Sequence, residues 1–206
     1  MEIAVVKYNA GNVRSVLNAF RRLGMEPLLT DSPERLRSAD GVVFPGQGEA
    51  SGAMSYLRAH GLDATIRSLR QPVLGICIGQ QLLCRHSEEG DTDCLGVFDV
   101  DVKRFVPRCH SDKIPCMGWN KLSALHSPLF KGLPPEPYVY FVHSYYVPQC
   151  EWTAATSDYI HPYSASLQRD NFLTTQFHPE KSGKVGELIL RNFLDIVSES
   201  SKSIEL

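Results

Sequence analysis

Cys77 stands in the run Pro72-Val73-Leu74-Gly75-Ile76-Cys77-Ile78-Gly79-Gln80-Gln81-Leu82-Leu83, where an apolar, β-branched stretch meets a Gly-x-Cys-x-Gly turn and a helix-forming stretch follows. Strand, sharp turn and helix in that order present a nucleophile at the top of an α/β sheet. Gly75 and Gly79 tolerate the tight turn and the close packing it forces. The thiolate is the reactive form of cysteine, and a helix N-terminus beneath Cys77 favours it. On the elbow alone, Cys77 could also be read as a core residue. The second cluster, Gln176-Phe177-His178-Pro179-Glu180, supplies a base and a carboxylate. A thiol nucleophile needs a base within hydrogen-bond reach, and the base needs an orienting partner. Pro179 keeps His178 extended. Residues i and i+2 of an extended segment point the same way, which sets Glu180 alongside His178. The third element is Pro45-Gly46-Gln47-Gly48. A glycine-flanked loop at a strand end can aim a backbone N–H at a developing oxyanion, and the Ile78 amide, next after the nucleophile, can supply another.

These residues need a scaffold, and its period is readable. Glu2–Tyr8 reads as a first strand, Asn9–Asn12 as a tight polar loop, and Val13–Leu23 as a helix stopped by Gly24. Pro27–Thr30 is a second strand. Ser32 caps a short helix that begins at Pro33. Gly41–Phe44 is a short buried strand ending at the Gly46–Gly48 loop. Helices over Ala50–His60 and Leu62–Leu69 precede the strand that ends at Cys77. Strands alternating with helices predict a mostly parallel sheet flanked by helices, with the functional loops at the strands' carboxyl ends. From about residue 95 the pattern changes. Val97–Phe105, Tyr138–Val147, Trp152–Ala155, Ala165–Gln168 and Phe172–Phe177 read as strands of an antiparallel or mixed section. A covering helix follows over Gly186–Val197, and Ser198–Leu206 is expected to be a polar, frayed tail.

At 206 residues the chain suits one core, so a single α/β domain over 1–206 is expected. A net charge of −2 leaves no electrostatic footprint for nucleic acid or an anionic membrane. No apolar run reaches the length of a membrane span, and the first residues lack the pattern of a secretory leader; the cytosol is the expected compartment. The six cysteines show no paired Cys-x-x-Cys spacing, which argues against zinc and for reduced thiols. No cofactor is called for.

Gly75, Cys77, Gly79 and Gln81, together with His178-Pro179-Glu180, resemble the class I (triad-type) glutamine amidotransferases. The resemblance spans nearly the whole chain. It implies a flavodoxin-like three-layer fold and hydrolysis of the L-glutamine side-chain amide through a γ-glutamyl thioester on Cys77. By that likeness His178 is base and then acid, Glu180 orients it, and the backbone of Gln47, Gly48 and Ile78 holds the oxyanion. Gln81 holds the glutamine, and Ser144 and Tyr145, in the stretch His143-Ser144-Tyr145, contact its amino-acid end.

The glutaminase domain accounts for all 206 residues, so the expected ammonia acceptor is a separate chain. Tyr8–Val16, Pro115–Asn120 and Phe141–Tyr146 look like the glutaminase subunits of imidazole glycerol phosphate synthases. That likeness implies a heterodimer with a (β/α)8-barrel cyclase, and it sets Asn12, Trp119 and Lys181 near that partner. The same residues read without it as a turn residue, a half-buried core residue and a solvated charge. The sequence departs from the family at Gln47, Gln80 and Cys116, where valine, methionine and histidine are usual. Competing readings are a glutaminase subunit serving anthranilate or aminodeoxychorismate synthesis, a stand-alone γ-glutamyl cysteine hydrolase, and a non-catalytic regulatory subunit.

Overall fold

The computed structural model describes residues 1–9 and 11–204. The first half alternates as the periodicity requires. Strands β1 (Ile3–Val6), β2 (Leu28–Thr30), β3 (Gly41–Phe44) and β4 (Val73–Ile76) are separated by α1 (Val13–Arg22), α2 (Pro33–Ser38), α3 (Ala50–Ala59) and α4 (Leu62–Ser68), and α5 (Ile78–Leu83) follows β4. At α2 the Arg35 N–H donates to Ser32 Oγ at 3.3 Å, the expected cap. The second half holds β5 (Cys84–Ser87), β6 (Thr92–Asp93), β7 (Phe98–Arg104), β8 (Cys116–Lys121), β9 (Tyr138–His143), β10 (Tyr145–Tyr146), β11 (Thr153–Tyr159), β12 (His161–Arg169), β13 (Phe172–Thr175) and α6 (Gly183–Ile204).

The main sheet has seven strands in the order β11-β12-β13-β4-β3-β1-β2. From β13 to β2 every pair is parallel; β12 and β11 add an antiparallel edge. β1, β3, β4 and β13 are buried along their whole length, as strands covered on both faces must be. Side chains alternate between two cores. Ile3 and Val5 join α1 and α6 on one face, while Ala4 and Val6 join α2 to α5 on the other. A second sheet, β10-β7-β5-β6, and the hairpin β8-β9 carry the remaining strands.

The position of β13 matters most for function. It does not stay in the antiparallel section but inserts beside β4 in parallel register, Thr174 opposite Gly75 and Thr175 opposite Ile76. The chain therefore leaves β4 at Cys77 and β13 at Gln176 at the same carboxyl edge. α5 is six residues long, because Cys84 turns extended to begin β5, which pairs with β7. One local expectation needs correction. The expected frayed tail over Ser198–Leu206 is helical as far as Ile204: α6 continues, with Ser201 Oγ donating to the Val197 carbonyl at 3.1 Å and to Asp40 at 3.4 Å. Residues 205 and 206 lie outside the described residues, as does Ala10 of the expected polar loop. No helix among the described residues is long and apolar enough to cross a membrane.

Candidate active site

Cys77 sits at φ 54°, ψ −108°, a backbone conformation that non-glycine residues avoid and that strand-to-helix elbows impose. Its N–H donates to the Thr175 carbonyl of β13 at 2.7 Å, and its carbonyl receives the Gln80 N–H at 3.0 Å. The flanking glycines are required by close approach. A Cβ on Gly79 would lie 2.0 Å from the Phe44 carbonyl oxygen, and one on Gly75 would lie 2.9 Å from a Leu83 methyl.

His178 follows β13, and β9 holds it. Its N–H donates to the Tyr140 carbonyl at 2.9 Å, while Ser182 Oγ donates to the His178 carbonyl at 2.7 Å and accepts the Tyr140 N–H at 3.0 Å. His178 Nδ1 lies 2.8 Å from Glu180 Oε1, with both side chains buried. A carboxylate only accepts, so Nδ1 carries the proton and Nε2 remains for the chemistry. Nε2 is buried and makes no well-formed hydrogen bond. Burial alone would lower the His178 pKa, but the Cys77 sulfur and the Glu180 carboxylate outweigh it and raise the pKa to about 10. The structure thus brings Cys77, His178 and Glu180 together. Asn12, expected near a partner, also reaches the triad: its Nδ2 donates to Glu180 Oε1 at 2.8 Å.

A raised folded-state pKa binds the proton more tightly in the folded chain. Its stabilising contribution is therefore complete below the ordinary histidine value of about 6.5 and is lost as pH climbs through about 10. Melting temperature should fall more between pH 7 and pH 10 in the wild type than in His178→Asn; equal falls would contradict this charge arrangement.

A cavity of about 350 Å³ opens over the sulfur, lined by Gln47, Gly48, Cys77, Ile78, Gln81, Glu89, Pro115, Val142, His143, Ser144 and Tyr145. All six residues expected at the oxyanion and the substrate, Gln47, Gly48, Ile78, Gln81, Ser144 and Tyr145, are in its wall. Gly48 adopts φ 156° with nothing within 4 Å of where a Cβ would stand. The Gln47 carbonyl accepts the Gly11 N–H at 2.7 Å, so the N-terminal loop tethers the Gly46–Gly48 loop. The Gln47 side chain is half-exposed and lines the cavity. The other two departures are also accommodated. Gln80 is buried with Thr174 Oγ1 donating to its side-chain Oε1 at 2.6 Å and its own Nε2 donating to the Ser164 carbonyl at 3.3 Å. Cys116 is buried on β8 opposite His143, and burial pushes its thiol up to about 11.

One group in the cavity wall was not singled out in the sequence. Glu89 puts a half-buried carboxylate in the cavity wall; it accepts the Ala50 N–H at 2.9 Å, and burial raises its pKa. His143 is held neutral, since burial lowers its pKa to about 4 despite the Nδ1 contact with the Tyr145 carbonyl at 2.7 Å. Among the described residues, no group of three or more His, Cys, Asp or Glu side chains could hold a metal ion. Trp119 is 56 % exposed on the β8-β9 hairpin, beside the similarly exposed Met117 and Tyr138. Lys181 is half-buried in the turn after His178 and makes no ion pair among the described residues.

A parallel sheet carrying a strained cysteine elbow, with a buried His–Glu pair at the next strand end, defines a glutamine amidotransferase of class I; the chain belongs to the glutamine amidotransferase class-I family, which matches residues 4–197. Its relatives within that family include imidazole glycerol phosphate synthase HisH subunits. The chain is 63 % identical to "Imidazole glycerol phosphate synthase subunit HisH" of Bacteroides thetaiotaomicron, over 95 % of this chain and 100 % of that one. It is 45 % identical to the protein of the same name in Pasteurella multocida, over 94 % and 97 %. Among solved structures, a putative GMP synthase component from Thermoplasma acidophilum superposes with a TM-score of 0.77 over 100 % of this chain and 98 % of that one; at 23 % identity that likeness speaks to the fold alone.

Proposed function

We propose that this chain is the glutaminase subunit of an imidazole glycerol phosphate synthase, one amidotransferase domain that releases ammonia for a separate cyclase. The observation that carries the chemistry is the buried Cys77–His178–Glu180 arrangement, whose Cys77 lines a cavity with room for one glutamine. Charge fixes the substrate's orientation. Glu89 faces the cavity as the counter-charge for the α-ammonium, and Ser144 and Tyr145 line the wall for the amino-acid end. Gln81 spends its Nε2 on the Tyr145 carbonyl and on Gln176 Oε1, both at 3.0 Å, which leaves its carbonyl oxygen as an acceptor for the substrate.

The Cys77 thiolate attacks the side-chain amide carbon, and the carbonyl oxygen becomes an oxyanion held by the backbone N–H groups of Ile78 and the Gln47–Gly48 loop. Collapse breaks the C–N bond as His178 Nε2 gives its proton to the nitrogen, so ammonia leaves and a γ-glutamyl thioester remains. Water, deprotonated by Nε2, attacks the thioester; glutamate departs and the thiolate–imidazolium pair is restored. Glu180 keeps Nδ1 protonated throughout.

The exposed Met117, Trp119 and Tyr138 form an apolar face on the β8-β9 hairpin, close in sequence to the cavity residues Pro115 and Val142. We assign that face, with Asn12 and Lys181, to a (β/α)8-barrel cyclase that receives the ammonia, and we assign the pair to the cytosol, where a reactive thiol stays reduced. High identity to HisH subunits favours this reading over the anthranilate and aminodeoxychorismate types. The isolated chain should hydrolyse glutamine weakly and accelerate at least a hundredfold (an order-of-magnitude expectation for completing a catalytic constellation) once cyclase and its nucleotide ligand are added. Full, ligand-independent turnover by the purified chain would point instead to a stand-alone hydrolase.

A further inference from the structure

We infer that Gln176 is a hydrogen-bond donor to the reacting sulfur, held in that orientation by a relay of amides that begins at the Tyr145 carbonyl. The role rests on Cys77 being the nucleophile. Gln176 is fully buried at the end of β13, and its Nε2 lies 3.8 Å from Cys77 Sγ. An amide side chain could present either nitrogen or oxygen to the sulfur, and the neighbours decide which. The Tyr145 carbonyl can only accept. It takes His143 Nδ1 at 2.7 Å and Gln81 Nε2 at 3.0 Å. The Gln81 amide is thereby fixed with its nitrogen inward, and the same nitrogen donates to Gln176 Oε1 at 3.0 Å. With its oxygen engaged there, Gln176 must turn Nε2 to the sulfur.

The consequence concerns which state of the sulfur is favoured. The Val142 carbonyl also lies near the sulfur, at 3.9 Å; it is an acceptor, which suits a protonated thiol. Gln176 is a neutral donor additional to His178, and it suits the thiolate. It cannot lose its donor as pH changes, whereas His178 gives its proton away at each turnover. When His178 delivers its proton to ammonia, Gln176 continues to hold the sulfur in place as thioester and then as leaving thiolate. The titratable groups around this sulfur are His178 with Glu180 behind it, Tyr8 in the loop after β1, and Glu89 and His143 in the cavity wall. All are retained when Gln176 alone is changed.

The test reads the sulfur directly. Iodoacetamide alkylation of Cys77 is followed by peptide-resolved mass spectrometry between pH 5 and pH 10 in the wild type, Gln176→Met and Gln176→Glu. Methionine removes the donor at similar volume. Glutamate keeps an acceptor toward Gln81 but turns an oxygen to the sulfur. Alkylation near neutral pH should fall about tenfold in the methionine variant, the scale of a hydrogen bond to a charged group, and further in the glutamate variant. In the glutamate variant, which keeps the acceptor toward Gln81, the glutaminase kcat should fall with it while KM changes little. Curves that superimpose on the wild type would overturn the inference. Should neither variant fold, nitrogen-edited NMR of the wild-type chain decides: the Gln176 side-chain amide protons shift when Cys77 is alkylated, and an unmoved signal overturns the role. A failed assignment of Cys77 as nucleophile would show itself separately, as turnover surviving in Cys77→Ala.

Discussion

Cys77→Ala should lower glutamine turnover by at least about four orders of magnitude, because a triad that loses its nucleophile retains only the rate that binding and oxyanion contacts supply. The fold should survive. Cys77 is 6 % exposed, and alanine removes one sulfur whose neighbours are Gln176 Nε2 at 3.8 Å and the Val142 carbonyl at 3.9 Å. The substitution leaves the exposed Met117, Trp119 and Tyr138 untouched, so affinity for a cyclase partner should stay within about twofold, as expected of a change that removes no interface contact. A second readout follows from the charges. With the sulfur gone, burial and Glu180 alone act on His178, and its pKa should drop below the present value of about 10, visible as an earlier titration of its ring signals by NMR. Glutamate release assayed with and without partner, beside calorimetric titration of the partner, gives both results. Turnover within tenfold of the wild type would remove Cys77 from the mechanism.

The parts of this site that were legible in the sequence are those in which local chemistry and local backbone coincide. The Gly75-x-Cys77-x-Gly79 elbow needs a strand before it and a helix after it, and both are written in neighbouring residues. His178-Pro179-Glu180 carries its own geometry, since proline and an extended chain align the base and the carboxylate. The first four strands and their helices were readable because their apolar residues repeat at the spacing that burial demands. What escaped was decided by distant pairing. β5 (Cys-Arg-His-Ser) and β8 (Cys-Met-Gly-Trp-Asn-Lys) have little strand character of their own; they are extended because β7 and β9 offer them hydrogen-bond partners. Glu89 lies in a polar turn that resembles any surface loop until the Ala50 N–H claims one of its oxygens at the cavity wall. Gln176 reads as an ordinary residue before a motif, and only the insertion of β13 beside β4 puts it against the sulfur. Gly186 carries no motif, yet a Cβ there would lie 1.9 Å from the Pro179 carbonyl oxygen, so α6 can support the His178 turn only with a glycine at that point.

Gly79→Ala should be a severely damaging single-methyl addition at the elbow, destabilising the chain by about 3–5 kcal/mol. The methyl would lie 2.0 Å from the Phe44 carbonyl oxygen, inside the contact distance of any carbon–oxygen pair, and the obstruction is backbone rather than a side chain that could rotate away. Relief requires β3 and α5 to separate. β3 is bonded to β4 through Val42, Val43 and Phe44, so separation strains the ladder that ends at Cys77. It also drags on the Gln47–Gly48 loop, which begins immediately after Phe44 and Pro45. For a chain of this size the stability loss corresponds to a fall in melting temperature of roughly 6–20 °C. Gly24→Ala is the comparison. Gly24 has φ 81° with nothing within 4 Å of a Cβ, so that variant carries only the left-handed backbone cost of about 1 kcal/mol. Glutaminase activity should fall in Gly79→Ala even at temperatures where it remains folded, because the elbow and the Gln47–Gly48 loop are displaced together, and should be unchanged in Gly24→Ala. Thermal melts and partner-stimulated kinetics on the two variants separate a steric clash at the elbow from a general intolerance of lost glycine, and equal effects at both positions would refute the packing argument.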